Sequence, residues 1–253
     1  MVVAIHQPHY FPWLGYLAKM ASVDRFILMD TVQLEKCSYM IRNRIIDSYG
    51  NIKYLTISAD KHGFLDKEYR EIRIKEFDIY SKKQENLILD AYKKCRYFDE
   101  VWNSISPLFK EAHELLCDVT IHSIQILRDI LEISTPLVMQ SDLKVDGNLK
   151  KEKLVLGLCK AAGADVYFSG RGASMQYLDV DECEREGVHV VFQDFKHPVY
   201  EQIGSHPFTA GLSTLDMLFN NGIEKSKELF WDSVNRDTFV SSCRNRNEKE
   251  VVR

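Results

Sequence analysis

The segment His6-Gln7-Pro8-His9-Tyr10-Phe11-Pro12-Trp13-Leu14-Gly15-Tyr16 holds the densest store of chemistry in the chain. Its imidazoles, carboxamide, phenols and indole offer proton transfer near neutral pH, hydrogen bonds and a stacking face. Two prolines hold the segment to few conformations, which lowers the ordering cost when a ligand binds. His6 and His9 suit a general base, and Tyr10 joins them as a catalytic candidate or, like Trp13, as a stacking platform. Gln7, Trp13 and Tyr16 are candidates for ligand contact. A rigid, aromatic-filled corner would use the same residues without any ligand. His6 and His9 are three apart, but zinc generally needs a third protein ligand. Neither H-E-x-x-H nor a clustered Cys/His spacing supplies one, so no metal is expected.

Three later segments could share a rim with this one. Asp30-Thr31-Val32-Gln33, Lys36 and Arg42-Asn43 could clamp a phosphate or carboxylate, since Arg presents a planar fork and Lys a mobile point charge. Ser169-Gly170-Arg171-Gly172-Ala173-Ser174 leads to Tyr177, and two glycines with Ser and Arg could cradle a phosphate or a developing oxyanion. Met175 stands where the third glycine of a dinucleotide fingerprint belongs, and no P-loop or Gly-x-Ser-x-Gly elbow is present. In Lys196-His197-Pro198, followed by Tyr200, either His197 or Tyr200 could reach the same rim. His62, His113, His122, His189 and His206 read as surface or helix residues.

The elements that must position these residues follow from periodicity. Val2-Val3-Ala4-Ile5 and Arg25-Phe26-Ile27-Leu28-Met29 read as buried strands, and Leu14, Leu17, Ala18 and Ala21 mark one apolar face of a helix between them. Residues 53–58 and 70–75 alternate as half-exposed strands of an antiparallel edge. From about 80 to 132 the pattern is helical, with Asp99 and Asp118 as N-caps. A strand at 137–139, a helix over 151–162 closed by Gly163, a strand at 164–168, a helical turn at 182–186 and a strand at 188–192 repeat the strand-helix-strand pattern. Such units favour a parallel sheet. Short helices near 213–220 and 224–234 complete an α/β fold, a mostly parallel Rossmann-like sheet with a helical middle segment and a small antiparallel edge. The expected organisation is one domain over 1–240 with a helical insertion at about 80–132, followed by a loose polar tail, 241–253.

In 253 residues, 33 Lys and Arg stand against 37 Asp and Glu, a net charge of −4, with 45% hydrophobic residues. That composition excludes a disordered or fibrous chain, and its acidic balance argues against an extended nucleic-acid surface. No apolar stretch approaches the roughly 18–20 residues of a membrane span, and the start has no signal-peptide pattern. Six scattered cysteines without C-x-x-C spacing read as reduced thiols, which points to the cytoplasm.

The opening motif 6–16, Asp30-Thr-Val-Gln33 with Lys36 and Arg42-Asn43, Tyr167-Phe-Ser-Gly170 with Tyr177-Leu-Asp179, and Leu212-Ser-Thr-Leu-Asp216-x-Leu-Phe219 together resemble the WbqC-like family over nearly the whole chain. The resemblance implies a part in O-antigen or other surface polysaccharide biosynthesis, and modification of a sugar amine by an acyl or aminoacyl group such as glycyl. Cys37 and Met40-Ile41, and the absence of Thr from 151–153, depart from the family's pattern and bear on substrate choice. The first unit is also similar to the nucleotidyltransferase-like fold, whose His-x-Gly-His is here Trp13-Leu14-Gly15-Tyr16. Pantothenate synthetase, of that fold, joins an acid to an amine through an acyl-adenylate, so ATP could serve as acyl activator.

The expectation is therefore an amide-forming transferase acting on a nucleotide-linked amino sugar, with an amino acid or acyl donor as second partner. Either a non-catalytic nucleotide-sugar binding module or an ATP-using nucleotidyltransferase is the alternative. A homo-oligomer is compatible with the sequence.

Overall fold

A computed structural model describes residues 1–35, 38–60, 62–172, 178–237 and 239. Lys36, Ser174, Tyr177 and the tail from 241 lie outside the described residues.

Strand β1 (Val2–His6) shows the pleat that organises everything around it. Val3 and Ile5 enter one apolar cluster, with Leu154, Val155 and Leu158 of a helix, α6 (Lys151–Ala162), whereas Ala4 enters another with Leu14, Leu17 and Ala18 of α1 (Leu14–Ala21). Alternate residues of a strand point to opposite faces, so the sheet carries a core on each side. β2 (Arg25–Leu28) repeats the division, with Ile27 on the α6 side and Phe26 and Leu28 on the α1 side.

With β5 (Leu137–Met139), β6 (Val166–Ser169) and β7 (His189–Phe192), these strands form a five-stranded sheet in the order β5-β2-β1-β6-β7. Every pairing in it is parallel. The expected α/β sheet is the observed one, and Gly163, at φ 70°, ends α6 with backbone that only glycine adopts freely.

The antiparallel edge is a separate ribbon made by β3 (Arg42–Ile46) and β4 (Ile52–Thr56). Residues 70–75 do not pair with β4 as expected. They form a 3-10 turn at Tyr69–Glu71 and two isolated bridges, Ala59 with Ile74 and Arg73 with Leu115. Their alternation records burial of Ile72 and packing of Ile74, rather than a ladder.

The middle segment is helical: α2 (Phe77–Tyr92), α3 (Phe98–Ile105), α4 (Pro107–Lys110) and α5 (Leu116–Ile130). Tyr97 and Leu115 occupy the cap positions of α3 and α5, so Asp99 and Asp118 fall inside the first turns. There their charge still complements the helix dipole. The last third adds α7 (Val180–Arg185), α8 (Thr214–Asn221) and α9 (Ile223–Asn235). α9 packs on α1, so α1 lies between the sheet and a helix, and every residue of it except Ala21 is buried.

Cys95, Cys117, Cys159 and Cys183 are free and buried. Among the described residues no helix is long and apolar enough to cross a membrane.

Candidate functional site

From β1 the chain moves outward through β2 to β5, then returns to β6 and β7 on the other side of β1. The carboxyl ends of β1 and β6 thus flank a topological switch point, where open parallel sheets bind ligands. A cleft of about 660 Å³ opens there. His6 contributes from the end of β1, Trp13, Gly15, Tyr16 and Lys19 from the turn and α1, Gly170, Arg171 and Gly172 from the loop after β6, and Gln193 to Phe195 with His197 from the loop after β7.

The walls are built largely from rings and small residues. The indole of Trp13 meets Phe195 edge-on at 5.5 Å and lies over Gly15, where a Cβ would stand 2.2 Å from its Cη2. Glycine at 15 is therefore the space the indole occupies. On the opposite side His6 packs edge-on to His9 at 4.5 Å and to Tyr16 at 5.0 Å, and His9 stacks on Tyr16 at 4.8 Å.

The turn from His6 to Trp13 is fastened from distant parts of the chain. Asn43 donates to the carbonyls of Tyr10 (3.3 Å) and Phe11 (2.7 Å), Ser213 donates to that of Phe11 (2.8 Å) and Thr214 to that of Pro12 (2.8 Å). Ser123 accepts the Phe11 N–H at 3.0 Å, and Tyr39 O accepts that of Tyr10. These bonds hold Phe11 at φ 39°, a left-handed conformation that is strained for a side chain of its size.

Three groups set the electrostatics. His6 Nδ1 lies 3.0 Å from Gln7 O, and a carbonyl only accepts, so the proton sits on Nδ1 and the lone pair on Nε2. Burial, with help from Lys19 and His9, holds the His6 imidazole well below its ordinary pKa. Burial and Lys19 hold His9 down as well, at about 3; its Nδ1 is buried without a partner among the described residues, and it does not line the cleft. Neither histidine therefore titrates near neutrality, contrary to the expectation for the base.

The group that does is Lys19. It is 4% exposed, has no hydrogen-bond or ion-pair partner among the described residues, and sits 5.8 Å from the Phe26 ring centroid. Burial draws its ammonium from 10.5 down to about 7. Its Nζ borders the Gly170 turn, 4.0 Å from where a Cβ on that glycine would be. Sequence reasoning passed over Lys19 because it lies off the apolar face of α1 marked by Leu14, Leu17, Ala18 and Ala21, where a lysine reads as solvated. Its spacing of three and four from Tyr16 and Gly15, on the helix that leaves the histidine segment, was the available signal. Gln193, which donates to Gly15 O at 3.1 Å, was missed although it also follows a strand.

The other candidates divide by location. Arg171 reaches the cleft, with Asp194 at 3.5 Å. Ser169 is fully buried and does not line it. His197 lines the cleft, but both its ring nitrogens are used, by Pro198 O and by the Gly211 N–H. Tyr10 lies in the core with its hydroxyl 2.9 Å from that of Tyr80, and Tyr200 is buried with its hydroxyl on Asp216 at 3.0 Å. Neither phenol reaches the cleft. Asn43 is buried and acts on the turn's backbone. Arg42 lies over Tyr54 on the ribbon, 4.6 Å from the ring centroid, in neither large cavity.

The β2 loop serves a second cavity, about 650 Å³, on the α6 side. Gln7 and Gln33 line it, and Asp30 stands near its rim, bound to the N–H (2.9 Å) and hydroxyl (2.6 Å) of Ser141. His6 and Gln7 thus open to different sides of the sheet, as their parity along β1 dictates.

The sequence profile of the WbqC-like protein family matches residues 7–228. An uncharacterised protein of Mycobacterium tuberculosis, Rv1507c, is 32% identical over 225 residues, 88% of this chain and 94% of its own. No solved structure matches. The match runs from Gln7, the residue after β1, through the loops after β6 and β7 to α9, and the chain belongs to the WbqC-like protein family.

Proposed function

We propose that the protein is an amide-forming transferase that places an acyl or aminoacyl group, such as glycyl, on the amine of a nucleotide-linked sugar. Family membership suggests a role in polysaccharide biosynthesis. The observation that carries the finer reading is Lys19, a buried amine with no carboxylate partner among the described residues and poised near neutral pH in a cleft at the switch point.

A sugar ammonium must shed a proton before it attacks an acyl carbon, and transfer is most efficient to a group whose pKa lies near the working pH. Neutral Lys19 takes that proton. The His6 Nε2 lone pair accepts a hydrogen bond from the amine and orients it. As the C–N bond forms, the bond from the acyl carbon to its leaving group breaks, releasing AMP from an acyl-adenylate or a thiol from a carrier thioester, and the nitrogen's second proton passes to the departing thiolate or, when AMP leaves, to water. Arg171 and the amino end of α1 at Gly15 favour an anionic phosphate there. Trp13 and Phe195 offer faces to the base or sugar.

The test is mass spectrometry of a nucleotide-linked amino sugar incubated with the protein, glycine and ATP, then with an acyl thioester. The expected result is the mass gain of one glycyl or acyl group, lost in Lys19→Met and reduced in His6→Gln. Saturable binding of the nucleotide sugar with no product from any donor overturns the transferase reading in favour of a binding module.

A further inference from the structure

The sequence gives His113 and His122 no role, yet the fold brings them together on the helical segment, away from both large cavities. Their ring nitrogens, Nε2 of His113 and Nδ1 of His122, face each other at 3.4 Å. Oε2 of Glu111 lies 3.6 Å from His122 Nδ1, and one ligand atom from each of the three side chains falls within 4.8 Å of the others. Four ligands at the roughly 2.0–2.1 Å of zinc–nitrogen and zinc–oxygen bonds stand about 3.4 Å apart at the corners of a tetrahedron. The two closest separations match that spacing.

We propose that Glu111, His113 and His122 bind a divalent transition metal of the zinc class. Two imidazoles and one carboxylate form a three-ligand set with an open position. Asp118 lines the same hollow, of about 470 Å³, and lies one turn before His122 on α5, so the fourth place falls to its carboxylate or to water.

The ligand frame is held in advance. The stretch carrying Glu111 and His113 is tied to residues 72–74 by the Ile74 N–H to Glu114 O (2.9 Å), the Leu116 N–H to Ile72 O (2.8 Å) and an Arg73–Glu114 ion pair (3.0 Å). Phe77 meets the His113 ring edge-on at 5.9 Å. A metal would join this stretch to α5 one residue before Ser123, which holds the Phe11 N–H of the cleft turn.

The experiment uses metal-stripped full-length protein without a histidine tag. It is titrated with Co²⁺, followed by visible absorption, and with Zn²⁺ by calorimetry. One-to-one saturable binding, a zinc-dependent rise in melting temperature and affinity lower by on the order of 100-fold in His122→Gln and His113→Gln are expected. X-ray absorption fine structure of the zinc-loaded wild type should show two imidazoles, a readout that needs no variant. Absence of stoichiometric binding, binding that survives both substitutions, or binding removed by His6→Gln instead would overturn the site. None of these readouts depends on the transferase reading.

Discussion

Lys19→Met keeps an unbranched stem and deletes the ammonium, and the structure makes the consequence calculable. Burial moves the group from 10.5 to about 7. At about 1.4 kcal/mol per factor of ten, that displacement corresponds to about 5 kcal/mol of unfavourable free energy for holding the charge in the folded chain. The folded value lies below the unfolded one, so the unfolded chain binds the extra proton between them and stability rises with pH across that interval. The penalty is complete below pH 7, shrinks as pH climbs towards 10.5, and vanishes above it. Water in the adjoining cleft shares in solvating the ammonium, so the expected gain for Lys19→Met is about 2–4 kcal/mol near pH 6 and close to zero near pH 10.5. Urea denaturation of wild type and variant at a series of pH values measures this, because other titrating groups are common to both and cancel in the difference. A variant less stable than the wild type near pH 6, or a difference that does not shrink with rising pH, refutes the uncompensated ammonium and with it the role of Lys19 as proton acceptor. The same variant should be more stable and inactive, the signature of a strained functional group.

Other substitutions probe the frame. Asp216→Ala should destabilise by about 3–5 kcal/mol in urea, since Tyr92, Tyr200 and Gln202 all donate to this buried carboxylate and would be left unpaired. Gly15→Ala should displace the Trp13 indole and weaken nucleotide-sugar binding at least tenfold by calorimetry, with little change in helical circular dichroism. Asn43→Ala should release two turn carbonyls, lowering stability by about 1–3 kcal/mol and turnover by more than binding, read as kcat against KM. Tyr10→Phe should lose about 1 kcal/mol and keep its turnover, because among the described residues the hydroxyl serves only Tyr80.

The parallel sheet was legible because buried strands announce themselves as short apolar runs. The rule that ligands sit beyond carboxyl ends of strands pointed correctly to His6, Trp13, Tyr16, Gly170 and Arg171 as residues that come together. It could not divide the loops between two faces of the sheet, and so grouped Asp30 and Gln33, beside the second cavity, with His6. Residue type misled where burial decides the matter: Tyr10 and Tyr200 look like rim phenols, yet both hydroxyls are spent inside the core. Lys19 was hidden for the converse reason. A lysine on a short helix reads as solvated, and only the packing of α9 against α1 shows that this helix has little solvent face. The meeting of His113 with His122 depends on how residues 111–115 run against 72–74, a long-range pairing with no local signal.

The fasteners of the cleft turn come from positions 43, 123, 213 and 214, so the turn near the start of the chain waits on residues about 200 positions later for its shape. During synthesis the strained Phe11 conformation has only the bonds from Asn43 and Ser123 to hold it, and its fastening is incomplete until Ser213 and Thr214 have emerged with α8 and docked. The ability to bind ligand and the completion of the fold should therefore appear together. A nascent or partly unfolded chain would be blind to its substrate, and ligand added during refolding would act late, trapping finished molecules rather than guiding unfinished ones.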